Sequence, residues 1–385
     1  MATIIKAIVV ERPSLTKEEL ERYARHLILP EVGAEGQRKL KGSSALIVGL
    51  GGLGSPVAWY LAGAGVGRIG IVDFDVVDES NLQRQTLHLS SDVGRLKTES
   101  AAEKLRAYNP HIEIVTYAER LSAENVLKIL SEYDVVADGT DNFPTRYLVN
   151  DACVLLKKPN AYASIFRFDG QASVFCAEGG PCYRCLYPDP PPPGSVPSCA
   201  EAGVLGVLPG ILGAIQANEV LKLLLGIGDP LVGRFLCFDA LRAEFREYEV
   251  SRNPDCPVCG ENPSIRSLEE AASACAPTDA VRVPEIAPEE IPKRMAAGAL
   301  LLDVREPEEL AISRIEGALH IPMDEVPMRM TELEREREIL VVCRVGERSR
   351  EVAALLLQNG FARVYNIEGG INAYARRVDR SLPLY

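Results

Sequence analysis

The stretch Ser43-Ser-Ala-Leu-Ile-Val-Gly-Leu-Gly-Gly-Leu-Gly54 decides the fold of this chain. Its apolar residues, 45–48, predict a buried parallel strand that ends in a tight glycine turn, and a helix should follow over about 55–61. A second predicted strand ends, about twenty residues after the turn, in Asp73, an acid that could bind a ribose. Glycines allow the backbone to approach a phosphate, and a helix N-terminus favours an anion. The stretch predicts a Rossmann-like α/β domain that binds a nucleotide; a turn without a ligand is the alternative.

Composition limits the class of protein. At 385 residues the chain should hold two or three domains, and its 47% of hydrophobic residues can bury a sizeable core. A net charge of −12 argues against binding to nucleic acid or to an anionic membrane. No signal peptide is apparent, and the apolar stretch 203–225 carries polar side chains that favour a buried helix over a membrane span. Ten cysteines without a signal peptide indicate metal or thiol chemistry in a reducing, cytoplasmic compartment.

Charged residues after the predicted strands separate two kinds of nucleotide chemistry. Asp73, Asp138 and Asp141 fall at the carboxyl ends of strands, where ligands of open α/β sheets bind. Lys97 lies in the first turn of a predicted helix, where its charge opposes the helix dipole. A lysine at this unfavourable position indicates that its side chain binds a phosphate. Nucleotide transfer requires cations around a triphosphate and a carboxylate for Mg²⁺. Arg84, Lys97 and Asp141 supply this set, whereas no comparable set supports a nicotinamide.

Five motifs follow one another between residues 49 and 142. They are Gly-Leu-Gly-Gly-Leu-Gly, Asp-Phe-Asp, Ser-Asn-Leu-Gln-Arg-Gln, Gly-Arg-Leu-Lys and Thr-Asp-Asn. In this order and spacing they resemble the MoeB/ThiF adenylating enzymes, relatives of the ubiquitin-activating enzymes, and the resemblance covers residues 15–260. It implies that ATP is bound and that Asp141 supports Mg²⁺. The ATP-binding residues that it implies are Gly52, Asp73, Ser80, Asn81, Leu82, Gln83, Arg84, Lys97, Asp141 and Asn142.

Arg25 receives different interpretations from the residues alone and from the resemblance. Thr16-Lys-Glu-Glu19 has a capping-box pattern that predicts the start of a helix, and an arginine on such a helix usually faces solvent. The resemblance implies instead that Arg25 reaches across a homodimer to the ATP phosphates of the other subunit.

Two C-x-x-C motifs predict a structural zinc site. Cys182 and Cys185 form the first motif, and Cys256 and Cys259 form the second. Each motif can place two thiolates on one Zn²⁺, and two motifs complete a tetrahedral site with no position open for catalysis. A redox-active pair or buried free thiols are the alternatives.

Cys199 is a candidate nucleophile. It follows a proline-rich run, 187–194, that cannot belong to a sheet, whereas an inert lone cysteine usually lies in apolar packing. The residues alone leave reactivity and inert packing open. The resemblance to sulfur-transferring members of the family implies a loop cysteine that attacks the activated carrier.

The α/β pattern stops and restarts along the chain. We assign residues 1–260 to the adenylating domain and 285–385 to a second, smaller α/β domain. Between them, 261–284 is rich in proline, alanine and acids, which is typical of a linker.

Cys343 closes a predicted strand of the second domain and is followed by a loop and a helix over 350–358. Loop amides, the helix N-terminus, Arg344 and Arg348 would favour a thiolate, which indicates a reactive cysteine; buried filler is the alternative. Phosphatases space this cysteine and arginine as C-x5-R, whereas Cys343 and Arg348 are spaced C-x4-R.

Cys343-Arg-Val-Gly-Glu-Arg-Ser and Asp303-Val-Arg305 together resemble the rhodanese domain, in which the cysteine carries a sulfane sulfur. Many rhodaneses have Gly-His-Ile-x-Gly-Ala where this chain has Ser313-Arg-Ile-Glu-Gly-Ala, so the identity of the sulfur donor is open. Asp303 and Arg305 are expected either to support the loop as an ion pair or to form a solvated surface pair.

The two halves together resemble the MoeZ type of adenylyltransferase–sulfurtransferase. The resemblance implies ATP-dependent adenylation of the C-terminal glycine of a ubiquitin-like sulfur carrier (MoaD or ThiS type), then sulfur transfer from a Cys343 persulfide. A cysteine desulfurase or thiosulfate would supply the sulfur. The alternatives are an NAD-dependent oxidoreductase fused to a phosphatase-like domain, and a non-enzymatic carrier-binding scaffold. The carrier and its pathway, which could be molybdenum cofactor, thiamin, cysteine or tRNA thiolation, stay open.

Overall fold

The computed structural model of the protein describes residues 13–191, 203–268 and 283–385. The first two ranges form one structural unit, and the third forms a second unit. Both units are α/β, as predicted. Cys199 and most of the predicted linker lie outside the described residues.

A mixed sheet forms the centre of the first unit. Its strands are Ser44–Val48 (β1), Arg68–Val72 (β2), Glu113–Tyr117 (β3), Val135–Asp138 (β4), Asn160–Phe166 (β5), Asp169–Phe175 (β6), Arg234–Asp239 (β7) and Glu244–Glu249 (β8). In the described part of the chain the strand order is β3-β2-β1-β4-β5-β6-β7-β8. The strands β1 to β5 run parallel, and β5 to β8 pair antiparallel. The central strands β1 and β4 carry near-continuous buried apolar runs, as is typical of parallel strands with helices on both faces.

Helices connect these strands. They are Lys17–Arg22 (α1), Ala24–Leu27 (α2), Gly33–Gly42 (α3), Gly54–Ala64 (α4), Lys97–Tyr108 (α5), Val126–Ser131 (α6), Phe143–Leu156 (α7), Tyr183–Leu186 (α8) and Val207–Leu225 (α9). The predicted capping box is present at α1, where Thr16 and Glu19 each accept a hydrogen bond from the other's backbone N–H. α4 extends beyond the predicted 55–61 because its apolar side chains continue into the core.

The helix α9 packs inside the first unit. By length and composition it is the one helix in the described ranges that could cross a membrane. Leu208, Leu212 and Leu224 belong to the main hydrophobic core. A Cβ atom on Gly213 would lie 2.7 Å from the carbonyl oxygen of Leu53, so α9 crosses the start of α4 at close range. This packing agrees with the prediction of a buried helix.

A parallel sheet forms the second unit. Its strands are Glu285–Ile286 (β9), Leu300–Asp303 (β10), Leu319–His320 (β11), Ile339–Val342 (β12) and Val364–Ile367 (β13), and its helices are Ile291–Ala296 (α10), Pro307–Ile312 (α11), Val326–Arg329 (α12), Glu347–Gln358 (α13) and Gly370–Arg377 (α14). Within residues 283–385 the strand order is β11-β10-β12-β13-β9. The central strand β12 is buried along its length and ends directly before Cys343. α13 begins at Glu347 instead of the predicted 350, because Gly346 turns the chain with a φ of +100°.

Candidate functional site

A glycine turn joins β1 to α4 at the carboxyl edge of the first sheet. Gly49 has a φ of +87°, which favours glycine. A Cβ atom on Gly54 would lie 1.9 Å from the carbonyl oxygen of Gly49, so only glycine allows α4 to start this close to β1. The N-terminus of α4 therefore lies at the strand edge, where a phosphate would meet its free N–H groups.

Asp73, directly after β2, holds this turn. Its Oδ2 accepts a hydrogen bond from the backbone N–H of Leu50 at 2.7 Å, and its Oδ1 accepts one from Asp75 at 2.8 Å. Burial raises the pKa of Asp73, while the charge of Lys97 and these two amides act against the rise. Asp73 thus has a structural contact with the turn in addition to the predicted contact with a ribose.

His88 supports the same turn, and no motif in the sequence marks it. Its Nε2 lies 3.2 Å from the carbonyl oxygen of Leu50, and its Nδ1 lies 2.8 Å from the hydroxyl of Ser100. Burial lowers the pKa of His88 from 6.5 to about 4. The ring is therefore neutral near pH 7, with Nε2–H donating to Leu50 and Nδ1 accepting from Ser100.

We expect His88 to make the stability of the first unit depend on pH. The unfolded chain binds this proton near pH 6.5, whereas the folded chain binds it only near pH 4. The stabilisation is complete above pH 6.5 and is lost as the pH falls through 4, by about 3 kcal/mol in total. In urea titrations, the difference in unfolding free energy between wild type and His88→Gln should shrink by this amount between pH 7 and pH 4. An identical pH dependence in both proteins would contradict a buried neutral histidine.

Lys97 and Arg84 approach the turn from the segment after β2. Lys97 is buried, and its Nζ lies 3.0 Å from Oδ2 of the half-exposed Asp75. Arg84 donates a hydrogen bond to the carbonyl oxygen of Ser80 at 3.2 Å. A Cβ atom on Gly52 would lie 3.5 Å from Cγ of Arg84, so this arginine lies beside the glycine turn. Two cations are therefore near the predicted phosphate site, and Lys97 is paired there with the carboxylate of Asp75.

The loop 78–83 carries the remaining residues of the Ser-Asn-Leu-Gln-Arg motif. Oδ1 of Asp78 accepts hydrogen bonds from the N–H and the hydroxyl of Ser80, at 2.9 and 2.6 Å. A Cβ atom on Gly206 would lie 2.2 Å from the carbonyl oxygen of the exposed Gln83, so the segment before α9 packs on this loop. The other predicted residues of the loop, both half-buried, are Asn81 and Leu82.

The carboxyl end of β4 presents three predicted residues with different surroundings. Asp138 is fully buried, its Oδ1 accepts hydrogen bonds from the N–H and hydroxyl of Thr140, and burial raises its pKa. The side-chain oxygen of Asn142 accepts from the N–H of Thr145 at 3.0 Å and caps α7. Asp141 is exposed. Of these three side chains, Asp141 is the one suited to bind a cation from solvent.

Two buried polar side chains that were not predicted from the sequence fix this edge. Arg146 donates to the carbonyl oxygen of Thr140 at 2.8 Å. Gln216 of α9 donates to the carbonyl oxygens of Asp138 and Ala161, at 2.8 and 2.7 Å. They hold the segment that leads to Asp141, and no motif marks them.

Arg25 and Cys199 are two further predicted residues of the first domain. Arg25 is exposed on the short helix α2. Cys199 lies outside the described residues. The roles that the resemblance implies for both therefore stay predictions.

The four predicted zinc ligands lie together. The Sγ atoms of Cys182, Cys185, Cys256 and Cys259 are all within 4.8 Å of one another. The Sγ–Sγ distances are 3.9 Å for Cys182–Cys185, 3.5 Å for Cys182–Cys256 and 3.4 Å for Cys185–Cys259. Tetrahedral Zn²⁺ with Zn–S bonds of about 2.3 Å requires thiolates about 3.8 Å apart. The cluster could therefore hold zinc, and these distances exclude disulfides, whose S–S bond is about 2.05 Å.

Hydrogen bonds around the cysteine cluster attach it to α7. Nε and Nη2 of Arg184 donate to the two carboxylate oxygens of Asp151 on α7, each at 2.8 Å, and both side chains are buried. The N–H groups of Cys182 and Asn253 point to Sγ of Cys185 at 3.4 Å, as suits a metal-bound thiolate. The cluster therefore braces the helix that begins beside Asp141.

Cys343 is buried in the loop between β12 and α13. Its Sγ accepts a hydrogen bond from the N–H of Gly346 at 3.1 Å and lies 3.3 Å from the hydroxyl of Ser349. The start of α14 packs on the same loop, where the N–H of Ile371 donates to the carbonyl oxygen of Cys343 at 2.8 Å. A Cβ atom on Gly370 would lie 2.4 Å from that oxygen. No sequence motif predicts this contact, although two successive glycines, Gly369 and Gly370, signal a turn at this point.

Arg348 binds a carboxylate instead of serving as a free cation for Cys343. Its Nη1 and Nη2 lie 2.6 and 2.7 Å from the two oxygens of Glu309 on α11. Both side chains are mostly buried. The charge of Arg348 is therefore largely neutralised, which weakens the cationic support that the sequence predicted for a thiolate.

Asp303 and Arg305 form a buried ion pair, so the alternative of a solvated surface pair is wrong. Nε and Nη2 of Arg305 lie 2.9 and 2.6 Å from the oxygens of Asp303, and both residues are buried. Nη2 also donates to the carbonyl oxygen of Ser313 at 2.9 Å. The pair fixes the segment between β10 and β11, at the same edge of the sheet as Cys343.

Known families match both units. The ThiF family model matches residues 23–258, and the rhodanese-like domain model matches residues 287–377. The probable adenylyltransferase/sulfurtransferase MoeZ of Mycobacterium tuberculosis is 42% identical over 395 aligned positions, which cover all of both chains. The sulfur carrier protein adenylyltransferase of Thermus thermophilus is 56% identical and covers 68% of this chain and 98% of its own length.

A solved structure is similar to part of this chain. The crystal structure of E. coli MccB with MccA-N7isoASN superposes with a TM-score of 0.56 at 25% identity, over 62% of this chain and 74% of that one. The ThiF model covers the glycine turn and the cations beside it. The rhodanese-like model covers the loop that contains Cys343. The chain belongs to the ThiF family and carries, after its ThiF domain, a rhodanese-like domain.

Proposed function

We propose that this protein is an adenylyltransferase and sulfurtransferase that activates a ubiquitin-like sulfur carrier with ATP and converts its C-terminal glycine to a thiocarboxylate. The observation that carries the proposal is the presence of two complementary sites in one chain. A glycine turn flanked by Arg84 and Lys97 suits a triphosphate, and a buried cysteine in an amide-lined loop suits a persulfide. The first site would make a carboxylate electrophilic, and the second would supply a sulfur nucleophile. The names of the relatives support both activities.

Adenylation would take place at the glycine turn. A carboxylate oxygen of the carrier attacks the α-phosphorus of ATP, the bond to the bridging oxygen breaks, and pyrophosphate leaves. Arg84 and Lys97 would bind phosphate oxygens, and Asp141 would hold Mg²⁺, which neutralises charge on the leaving pyrophosphate. The residues proposed to complete the ATP site are Gly52, Asp73, Ser80, Asn81, Leu82, Gln83 and Asn142. The product is an acyl adenylate, in which AMP is a good leaving group.

Sulfur transfer would start from a persulfide on Cys343. Its terminal sulfur attacks the carbonyl carbon of the acyl adenylate, AMP leaves, and an acyl disulfide forms. A second thiolate then attacks Sγ of Cys343, the S–S bond breaks, and the thiocarboxylate leaves with the electron pair. A disulfide forms between Cys343 and the second thiol, and an external thiol reductant would restore both. Cys199 is the candidate for this thiolate, or for an acyl-enzyme that forms before the persulfide reacts.

Intact mass spectrometry of candidate carriers tests the function. MoaD-type and ThiS-type carriers are incubated separately with the protein, ATP, Mg²⁺ and either thiosulfate or a cysteine desulfurase with cysteine. One carrier should gain the mass that corresponds to exchange of one oxygen for one sulfur, and only with ATP present. That carrier would indicate the pathway, for example molybdenum cofactor or thiamin biosynthesis. No mass gain on any carrier, with active ATP–pyrophosphate exchange, would contradict the sulfur step.

We also propose that a cytoplasmic homodimer is the active form and that Arg25 acts on the ATP of the other subunit. The exposure of Arg25 on α2 leaves it accessible to a second chain. Arg25→Ala and Asp141→Ala should each be inactive in ATP–pyrophosphate exchange, and a mixture should regain part of the activity because one hybrid site holds both residues. If subunits exchange, as followed by differently tagged chains, and no activity returns, Arg25 does not act across the dimer.

A further inference from the structure

Tyr385 connects charged residues around the reactive loop of the second unit. Its hydroxyl accepts a hydrogen bond from Nη1 of Arg305 at 2.5 Å and donates one to Oε1 of Glu309 at 3.2 Å. The same carboxylate binds both terminal nitrogens of Arg348. A continuous chain of contacts therefore runs from the buried Arg305 through Tyr385 and Glu309 to the helix that follows Cys343.

The ring of Tyr385 also contacts the first arginine of the loop. The Cζ atoms of Arg344 and Arg305 lie 5.8 and 5.9 Å from the centroid of the ring. Nδ2 of Asn372 on α14 donates to the backbone oxygen of Tyr385 at 2.9 Å, which fixes the residue. Burial raises the pKa of Tyr385 to about 12, so the hydroxyl keeps its proton and can donate it to Glu309.

The two arginines of the loop differ in their partners. Arg348 forms two hydrogen bonds with the carboxylate of Glu309, so the positive charge of Arg348 is already balanced. Nε is buried without a hydrogen-bond partner in both arginines, among the residues that the structure describes, so the difference lies in their terminal nitrogens. Arg344 contacts the ring of Tyr385, which is a neutral partner. An anion that enters the loop would therefore find an available cationic donor at Arg344 rather than at Arg348.

We propose that Tyr385 is a positioning residue for sulfur transfer: its hydroxyl holds the Glu309–Arg348 pair closed, and its ring places Arg344 to receive an anionic sulfur donor. The proposal rests on the assignment of Cys343 as the sulfur-carrying residue. With thiosulfate, the Cys343 thiolate attacks the sulfane sulfur, the S–S bond breaks, and sulfite leaves with the electron pair. The donor and the leaving group both carry two negative charges, so a guanidinium beside them favours binding and departure.

Steady-state transfer of sulfur from thiosulfate to cyanide by the full-length protein tests this role. Tyr385→Leu removes the ring and the hydroxyl, and KM for thiosulfate should rise about tenfold because Arg344 loses its cation–π contact. Tyr385→Phe keeps the ring, so KM should stay within about twofold while kcat falls about three- to tenfold through loss of the hydrogen bond to Glu309. If Tyr385→Phe restores KM but not kcat, the ring contact with Arg344 affects KM and the hydroxyl contact with Glu309 affects kcat.

Tyr365→Leu is the matched control. Tyr365 on β13 belongs to the same unit and also has an arginine, Arg294, over its ring at 4.8 Å. Both kinetic constants should stay within about twofold of wild type in this control, since Arg294 is not in the loop. An equal loss in Tyr365→Leu, or wild-type constants in both Tyr385 variants, would overturn the proposal.

Two further variants keep the outcomes distinct. If Cys343→Ala still transfers sulfur, the assigned site is wrong; if it is inactive while the Tyr385 variants behave as wild type, only the role of Tyr385 is wrong. Circular dichroism melting shows which variants fold. If Tyr385→Leu does not fold, Tyr385→Phe and Glu309→Gln decide the matter. Their effects on kcat should be less than additive, because both weaken the same ion pair, and additive effects would overturn the proposal.

Discussion

Cys343→Ala should abolish sulfur transfer from thiosulfate to cyanide, and the formation of a carrier thiocarboxylate, while ATP–pyrophosphate exchange continues at the wild-type rate. Alanine cannot carry a persulfide, so we expect a loss of about a thousandfold or more. Pyrophosphate leaves before any sulfur atom reacts, so exchange should not depend on Cys343. Both activities are measured on the same preparation.

Asp141→Ala provides the reciprocal variant. It should lower ATP–pyrophosphate exchange by about a hundredfold or more, because the proposed Mg²⁺ ligand is lost, and leave thiosulfate:cyanide transfer unchanged. Cys237→Ser, a half-buried thiol on β7, should retain both activities and controls for the loss of a cysteine. A Cys343→Ala protein that still produces thiocarboxylate at the wild-type rate would place the sulfur chemistry on another thiol.

Features with local causes could be predicted from the sequence. The end of α5 at Tyr108 follows from a local signal, because Asn109-Pro110 terminates the helix. The turn after β1 follows from its glycines, because a Cβ atom on Gly54 would clash with the carbonyl oxygen of Gly49. The cysteine cluster follows from spacing, because each C-x-x-C motif places two thiolates on one knuckle.

Features that depend on distant partners could not be predicted where no motif marks the two partners. His88 meets Leu50 at 38 residues' separation, and Arg348 meets Glu309 at 39. The sequence shows that a side chain is cationic, but it does not show which carboxylate the fold brings against it. Arg348 was expected to act as a cation beside Cys343, and in the structure it forms an ion pair with Glu309.

A solvated surface pair was one of the two arrangements expected for Asp303 and Arg305, and it was wrong for a related reason. Two charged residues separated by one position are typical of a solvated segment, and only the fold shows that both are buried. Burial changes their energetic weight, because removal of one partner leaves an uncompensated buried charge that costs about 3–5 kcal/mol.

Cys182→Ser should remove zinc from the protein and destabilise the first unit. A serine hydroxyl is not deprotonated near pH 7, so the site would keep three thiolates in place of four. The two cysteine motifs are 74 residues apart, and a metal that joins them constrains a long stretch of chain. We expect a loss on the order of 5 kcal/mol, less than the roughly 10–16 kcal/mol of zinc-finger peptides, because the sheet has its own core. Metal analysis and urea unfolding of the variant measure both effects.

Wild type and Cys237→Ser should each contain one zinc per chain, since Cys237 on β7 is outside the cluster. Cys182→Ser should still bind ATP, though more weakly. The glycine turn is held by Asp73 and His88, whereas Arg184 of the cluster segment contacts α7 and does not contact the turn. A wild-type zinc content clearly below one equivalent, or a Cys182→Ser protein with wild-type zinc and stability, would mean that the four cysteines are buried free thiols.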